Sequence, residues 1–341
     1  MLGVALAALP AAAHAYGWPV RPFDVQHPIR AFFGDPRTVF DDPFQADGLD
    51  GTGAFSFHNG VDIVAPDGAP VFPVESGIVH AIDASALSVK SFDGQRTFQY
   101  FHVVPVVTNG QLVIAGTTVL GHIQTPYAHV HLSEIDSHLG RMYVTNPLQP
   151  GHLTPYRDRT RPEVSLVQLR DGAGSIAAPG VVCGRVDVEA EAFDAQPLPV
   201  PGQFAGMPVA PALVSWRLRT SAGQTLVPTR VAVDFRHTLP PGRDFWDVYA
   251  RGSYQNAPRF GQQQFRRMHG RFLYRLVDGL DTRRLPDGPY ELTVTAADER
   301  GNRRSLTRRF WVDNRVPCVA QLAAKRTTAP AQPATPAPQS P

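Results

Sequence analysis

Proline and glycine break this chain too often for a long helix to form. There are 33 Pro and 29 Gly among 341 residues. Proline removes a backbone donor and glycine is costly to order, so both end helices and mark turns. Between the breaks, no long stretch carries apolar residues at helical spacing. The apolar runs are short and rich in β-branched and aromatic residues, as in Val61–Val64, Ile78–Ile82, Leu87–Phe92, Thr97–Val104 and Val130–Ile135. Such runs predict strands joined by turns, and the expected fold class is all-β. With 43% hydrophobic and 18% charged residues the chain can bury a core, and its length suggests two domains rather than one.

The character of the sequence changes near Arg157–Pro162, a polar, proline-bounded stretch expected to link a first domain at 16–157 to a second at 163–318. In the second half Val186–Ala192 alternates strictly between apolar and polar, and Leu213–Leu218 and Tyr290–Ala296 do so roughly, which predicts a β-sandwich. Residues 1–15 read as an apolar leader ending in the small-x-small pattern Ala13-His14-Ala15. They predict a signal peptide, short of a basic n-region, and with it a secreted or cell-envelope protein. The leader is too short to span a bilayer, and no transmembrane span is expected in the mature chain. Residues 319–341 are rich in Ala-Pro and nearly free of large apolar side chains, so a disordered or partly polyproline II tail is expected. Two cysteines, Cys183 and Cys318, lie near the ends of the second half; one disulfide closing it and two buried thiols are both open readings. A formal net charge of +2 does not demand a nucleic-acid partner, and none is expected.

Seven of the twelve histidines fall between His58 and His138. The sharpest pieces are His58-Asn-Gly-Val-Asp62 and His129-Val-His131. On a strand, side chains two apart share a face, so His129 and His131 would enter one cleft while Val130 and Leu132 pack on the other side. His58 and Asp62 add a nitrogen and an oxygen donor. Zn²⁺ accepts such sets, and catalytic zinc sites use three protein ligands and leave one position open. His80, His122 and His138 are expected on solvated strands or loops.

Together these residues resemble the lysostaphin-type zinc endopeptidases of peptidoglycan. The family pattern is His-x-x-x-Asp, a later Tyr-x-His and a final His-x-His; here these are His58 with Asp62, Tyr100-Phe101-His102, and His129-Val-His131. Phe33-Gly34-Asp35-Pro36-Arg37 is similar to the Phe-Gly-x-Arg element that precedes the first ligand, with one extra residue. Gly68-Ala-Pro70-Val71, Gly77-Ile-Val79 and the Gly116–Gly121 stretch match the family's turns. The resemblance spans roughly residues 18–148. It implies an antiparallel β-sheet peptidase domain with His58, Asp62 and His131 as zinc ligands. It implies His129 as the general base and His102 as the group that orients water or stabilises the oxyanion. The substrate would be the peptide stems or cross-bridges of peptidoglycan. Two departures stand out: Tyr127 occupies a position where the family has Gly, and Glu134 is displaced by one position from the family's usual site. Glu134 or Asp136 could support a ligand histidine, with no choice between them from sequence.

In the second half, Asp287-Gly-Pro-Tyr290 through Asp313-Asn314 resembles the last hairpin of bacterial immunoglobulin-like domains. Residues 259–315 hold thirteen arginines against seven acidic residues, read either as a solvated face or as a patch for anionic wall polymers. Two alternatives to a wall peptidase remain open: a catalytically silent wall-binding regulator or activator of other hydrolases, and a zinc peptidase of non-wall proteins.

Overall fold

Alternation decides which side of each strand meets the core, and the second half shows it most plainly. On Arg185–Phe193 the side chains of Val186, Val188, Ala190 and Ala192 are buried while their neighbours are partly exposed. Leu213–Thr220 and Gly288–Ala297 follow the same period of two. The computed structural model describes residues 15–39, 46–47, 54–138, 141–171, 180–255, 259–260, 263–264 and 270–315. The expected leader, apart from Ala15, and the expected tail lie outside these. The fold is nearly all β, with sheets that are antiparallel apart from one short parallel pairing between Val181–Val182 and Arg303–Val312. The one α-helix among the described residues is the single turn Phe245–Val248.

The first half is built on an eight-stranded sheet. Its order runs Ile29–Ala31, Val61–Val64, His129–His138, Arg96–Phe101, Ala86–Ser91, Gly77–Ile82 and Leu112–Val113, with Arg141–Thr145 also pairing to His129–His138. Central in this order, His129–His138 sets His131 opposite Asp62 on one neighbour and opposite Phe101 on the other. Val130 and Leu132 point the other way into a core with Val61, Ile63, Phe98 and Tyr100. The expected run Thr97–Val104 is not one strand. It breaks at His102, whose φ of 62° turns the chain out of the large sheet and into a small one formed by Val103–Pro105, Gly121–Ile123 and Pro70–Val71.

The second half packs two sheets together. One is Glu163–Asp171, Arg185–Phe193 and Leu273–Asp281; the other is Val181–Val182, Arg303–Val312, Gly288–Ala297, Leu213–Thr220 and Thr225–Asp234. Their shared core also takes in Phe33, Phe55 and Phe57 from the first half. Phe55 and Phe57, two apart on Ala54–Phe57, set their rings 5.0 Å from Trp246 and 5.1 Å from Phe245. Phe32 belongs to the first core and Phe33 to the second. The stretch between 32 and 35 is therefore held from both sides. Cys183 is disulfide-bonded, and the chain's other cysteine, Cys318, lies outside the described residues.

Candidate metal centre

Three of the histidines and the aspartate singled out by spacing meet on the face of the large sheet opposite its apolar core. His58 precedes Val61–Val64, Asp62 lies on it, and His129 and His131 open the paired strand. His58 Nε2, Asp62 Oδ1 and His131 Nδ1 form a triangle: 3.1 Å from His58 to Asp62, 2.9 Å from His58 to His131 and 3.0 Å from His131 to Asp62. All three side chains are buried.

The backbone and one hydroxyl fix the rings. His58 Nδ1 lies 2.8 Å from Phe32 O. A carbonyl only accepts, so Nδ1 donates and Nε2 turns its lone pair to the triangle. His131 Nε2 lies 2.8 Å from Ser133 Oγ, which leaves Nδ1 facing inward. His129 Nδ1 donates to Tyr127 O at 2.8 Å, so its Nε2 carries the lone pair, which accepts from Arg30 Nη2 at 3.1 Å and lies 3.6 Å from Asp62 Oδ2. Burial, opposed by Asp62 and reinforced by Arg30, pushes His129 down to about 3. Burial and then the Arg37 guanidinium push His58 down to about 3. Both rings are neutral at pH 7, as a ligand or a base must be. Burial would raise Asp62, but Arg37, His58 and His129 outweigh it and hold the carboxyl well below the usual range.

His58 aims its lone pair at one point with a carboxylate oxygen of Asp62 and with Nδ1 of His131, whose hydroxyl partner allows either tautomer. Arg37 bonds the His58 lone pair at 3.1 Å, and two ring nitrogens and an oxygen gathered this closely are a donor set suited to a cation. Tetrahedral zinc with bonds of about 2.0–2.1 Å separates its ligand atoms by roughly 3.3 Å. The triangle would open by a few tenths of an ångström to accept it, and the donor set fits zinc.

His102 joins the group from its left-handed position. Its ring centroid is 4.5 Å from that of His129 and stacks on Tyr127 at 4.1 Å. Burial lowers His102 to about 4. Tyr127, standing where the family has Gly, thus walls the cleft and holds His129 through its carbonyl. His80 and His122 are exposed, away from the triangle; the side chain of His138 lies outside the described residues.

Sequence reasoning missed three contributors. Arg37 Nη2 donates to Asp62 Oδ2 and reaches His58 Nε2 at 3.1 Å. Arg30 donates to Tyr127 O at 3.2 Å, lies 3.1 Å from His129 Nε2, and places its guanidinium 4.2 Å from the Phe204 ring of the second half. Ser133 is the third. Arg37 sat in the Phe-Gly-x-Arg-like element and was legible there; Arg30 and Ser133 carried no signal. Neither acidic candidate supports the cluster. Glu134 is buried, but it accepts from Tyr16 Oη and pairs with His152 Nδ1 at 2.8 Å. Asp136 bonds none of these histidines.

No family model and no curated protein matches the chain. Among solved structures it is similar to the catalytic domain of the antimicrobial peptidase lysostaphin from Staphylococcus simulans, at 23% identity over 31% of this chain and 77% of that one, with a TM-score of 0.23. A zinc-containing peptidase from Vibrio cholerae matches at 22% identity over 39% of each chain, with a TM-score of 0.28. LytU matches at 22% identity over 37% of this chain and 86% of that one, with a TM-score of 0.26.

Proposed function

We propose that this chain is a zinc-dependent endopeptidase that hydrolyses peptide cross-links of bacterial peptidoglycan. The carrying observation is the triangle of His58, Asp62 and His131 donor atoms within 3.1 Å of one another, drawn from residues in the order and spacing of the lysostaphin-type pattern. In this reading those three hold zinc. A zinc ion there would supply Lewis acidity and make hydroxide available near neutral pH. His129 takes the proton from the attacking water through Nε2, its Nδ1 anchored on Tyr127 O. His102, beside it, orients that water or supports the developing oxyanion. The substrate is an extended peptide laid across this side of the sheet.

The second half, read as an immunoglobulin-like sandwich, would orient the enzyme at the wall of a secreted or envelope-located chain. No helix of the described residues is long and apolar enough to cross a membrane. Several of its arginines are already paired: Arg283 with Asp281, Arg309 with Glu291, and Arg315 with Asp313. Arg303, Arg304 and Arg308 on the last strand remain for anionic wall polymers.

One observation favours a second reading, a catalytically silent wall-binding regulator: the Arg37 guanidinium already bonds one of the three donor atoms, His58 Nε2, and the other oxygen of Asp62. The test is metal analysis of the purified chain together with mass spectrometry of muropeptides after digestion of sacculi. The endopeptidase releases new amino termini, retains stoichiometric zinc, and loses both in His131→Ala. A chain that holds no zinc in zinc buffer and cuts nothing is the regulator.

A further inference from the structure

Away from the histidines, three carboxylates are sunk in the seam between the two halves. Asp158 lies just ahead of the sandwich, Asp194 just past Arg185–Phe193, and Asp298 at the turn between Gly288–Ala297 and Arg303–Val312. They are 7%, 1% and 2% exposed. One oxygen from each lies within 4.8 Å of the others. None forms an ion pair with a described residue. Glu299 adds a fourth acidic group alongside, held by Asn146 Nδ2 at 3.2 Å. Arg300, on the same turn, lies over the Tyr156 ring at 4.9 Å instead of against a carboxylate.

Buried like charges must be neutralised by protons or by a cation. Two of the three accept hydrogen bonds on both oxygens. Asp158 Oδ1 accepts from Thr160 N at 2.8 Å and Oδ2 from Tyr156 Oη at 3.1 Å. Asp298 Oδ1 accepts from Arg300 N at 2.9 Å and Asn302 N at 2.8 Å, and Oδ2 from Asn302 Nδ2 at 2.6 Å. Burial raises Asp298 against these bonds. Asp194 differs. Oδ1 accepts from Ala195 N at 2.8 Å, but Oδ2 is buried without a hydrogen-bond partner. Burial, together with Asp158, pushes Asp194 up to about 8, and burial pushes Glu299 up to about 7. A buried, unpartnered oxygen beside two carboxylates whose own oxygens are all hydrogen-bonded calls for a cation.

The donors are all oxygens, which selects a hard ion and disfavours zinc. Calcium accepts oxygens at about 2.3–2.6 Å in irregular geometry, so oxygens up to about 4.8 Å apart can share its shell; magnesium demands a tighter octahedron. Asp194 also lines a cleft of about 710 Å³ with Gln196, Pro197 and Met207.

We propose that Asp158, Asp194 and Asp298 form a calcium site that clamps the seam between the peptidase half and the sandwich. The ion would tie together the segment ahead of the sandwich, the end of one of its sheets and a turn of the other.

The test uses the full, zinc-loaded chain, with calcium as the probe. Protein cleared of calcium is dialysed against calcium chloride, its bound metal is measured, and thermal unfolding is followed with and without calcium. Wild type is expected to take up one calcium per chain and to unfold several degrees higher with it. His131→Ala keeps that response, which separates this site from the histidine cluster. Asp194→Asn keeps the shape and removes the charge that a bound cation would draw out of Asp194. It binds calcium at least about tenfold more weakly, and in a calcium-free buffer above about pH 8, where Asp194 ionises, it unfolds at a higher temperature than wild type. Terbium emission excited through Tyr156 and displaced by calcium reports on wild type alone, should the variant fold poorly. The proposal is overturned if wild type takes up no more calcium than Asp194→Asn, if the uptake disappears in His131→Ala, or if terbium gives no calcium-displaceable emission.

Discussion

Each histidine in the cleft is aimed by the partner of its other nitrogen. His58 and His129 are anchored on carbonyl oxygens, which permit only one tautomer, whereas His131 leans on the Ser133 hydroxyl. Removing that hydroxyl frees the His131 ring to rotate or to exchange its proton between nitrogens, while Phe32 and Tyr127 keep the other two rings in place. Ser133→Ala is therefore expected to weaken zinc binding by about 10- to 100-fold with little change in stability, measured by competition against a chromogenic chelator. Unchanged affinity would show that strand geometry alone orients His131. The same side chain shows why part of the site could be read from sequence and part could not. Spacing on a strand tells which residues share a face, so His129 and His131 were legible together. It puts Ser133 on that face too but not in a bond with His131, because a serine two positions further along a strand is equally at home facing solvent. Arg30 is illegible for a related reason: its partners His129 and Phe204 are far away in the chain.

At the scale of elements, the local pattern succeeded wherever a strand is decided by its own residues. Val61–Val64 matches its apolar run, and the alternation of Val186–Ala192 survives in the burial of that strand. It failed at His102, where β-branched and aromatic residues on both sides gave no sign of a break. The break depends on a left-handed residue that closes onto a distant segment, with His102 O accepting from Gln124 N at 2.8 Å. Gly60 is another element-level constraint that reads locally as a mere turn. The loop between His58 and Asp62 passes so close to the neighbouring strand that a Cβ at Gly60 would sit 2.3 Å from Leu132 O and 2.7 Å from His131 Nε2. Backbone cannot yield as a side-chain tip can, so Gly60→Ala should cost about 1–3 kcal/mol through overpacking and displace His131. Thermal unfolding and metal content measured in parallel should both fall; a variant with wild-type values for both would mean the loop has room that the geometry denies.

Across the whole molecule, the two halves are less separable than a linker at 157–162 implies. Phe33, Phe55 and Phe57 bury their rings in the sandwich core, Tyr249 Oη donates to Gly34 O at 2.8 Å, and Asp35 Oδ1 accepts from Ala210 N at 2.6 Å. The same short stretch holds His58, through Phe32 O on its ring and Asp35 O on its amide. Each exposed phenylalanine forfeits about 1.5–3 kcal/mol of burial, so a fragment comprising residues 16–157 is expected to bind hydrophobic dyes and to lack a cooperative thermal transition. A fragment that melts sharply and retains zinc would show that the first half stands alone. None of this was visible in the sequence, where three phenylalanines look like any domain's own core. The pinched stretch at 32–35 also bears on ancestry and engineering. A chimera that joins this catalytic half to a foreign anchoring module would inherit the histidines but not the bracing behind the first of them, so recombination at the seam should yield defective offspring unless Phe33, Phe55, Phe57 and their receiving surface travel together.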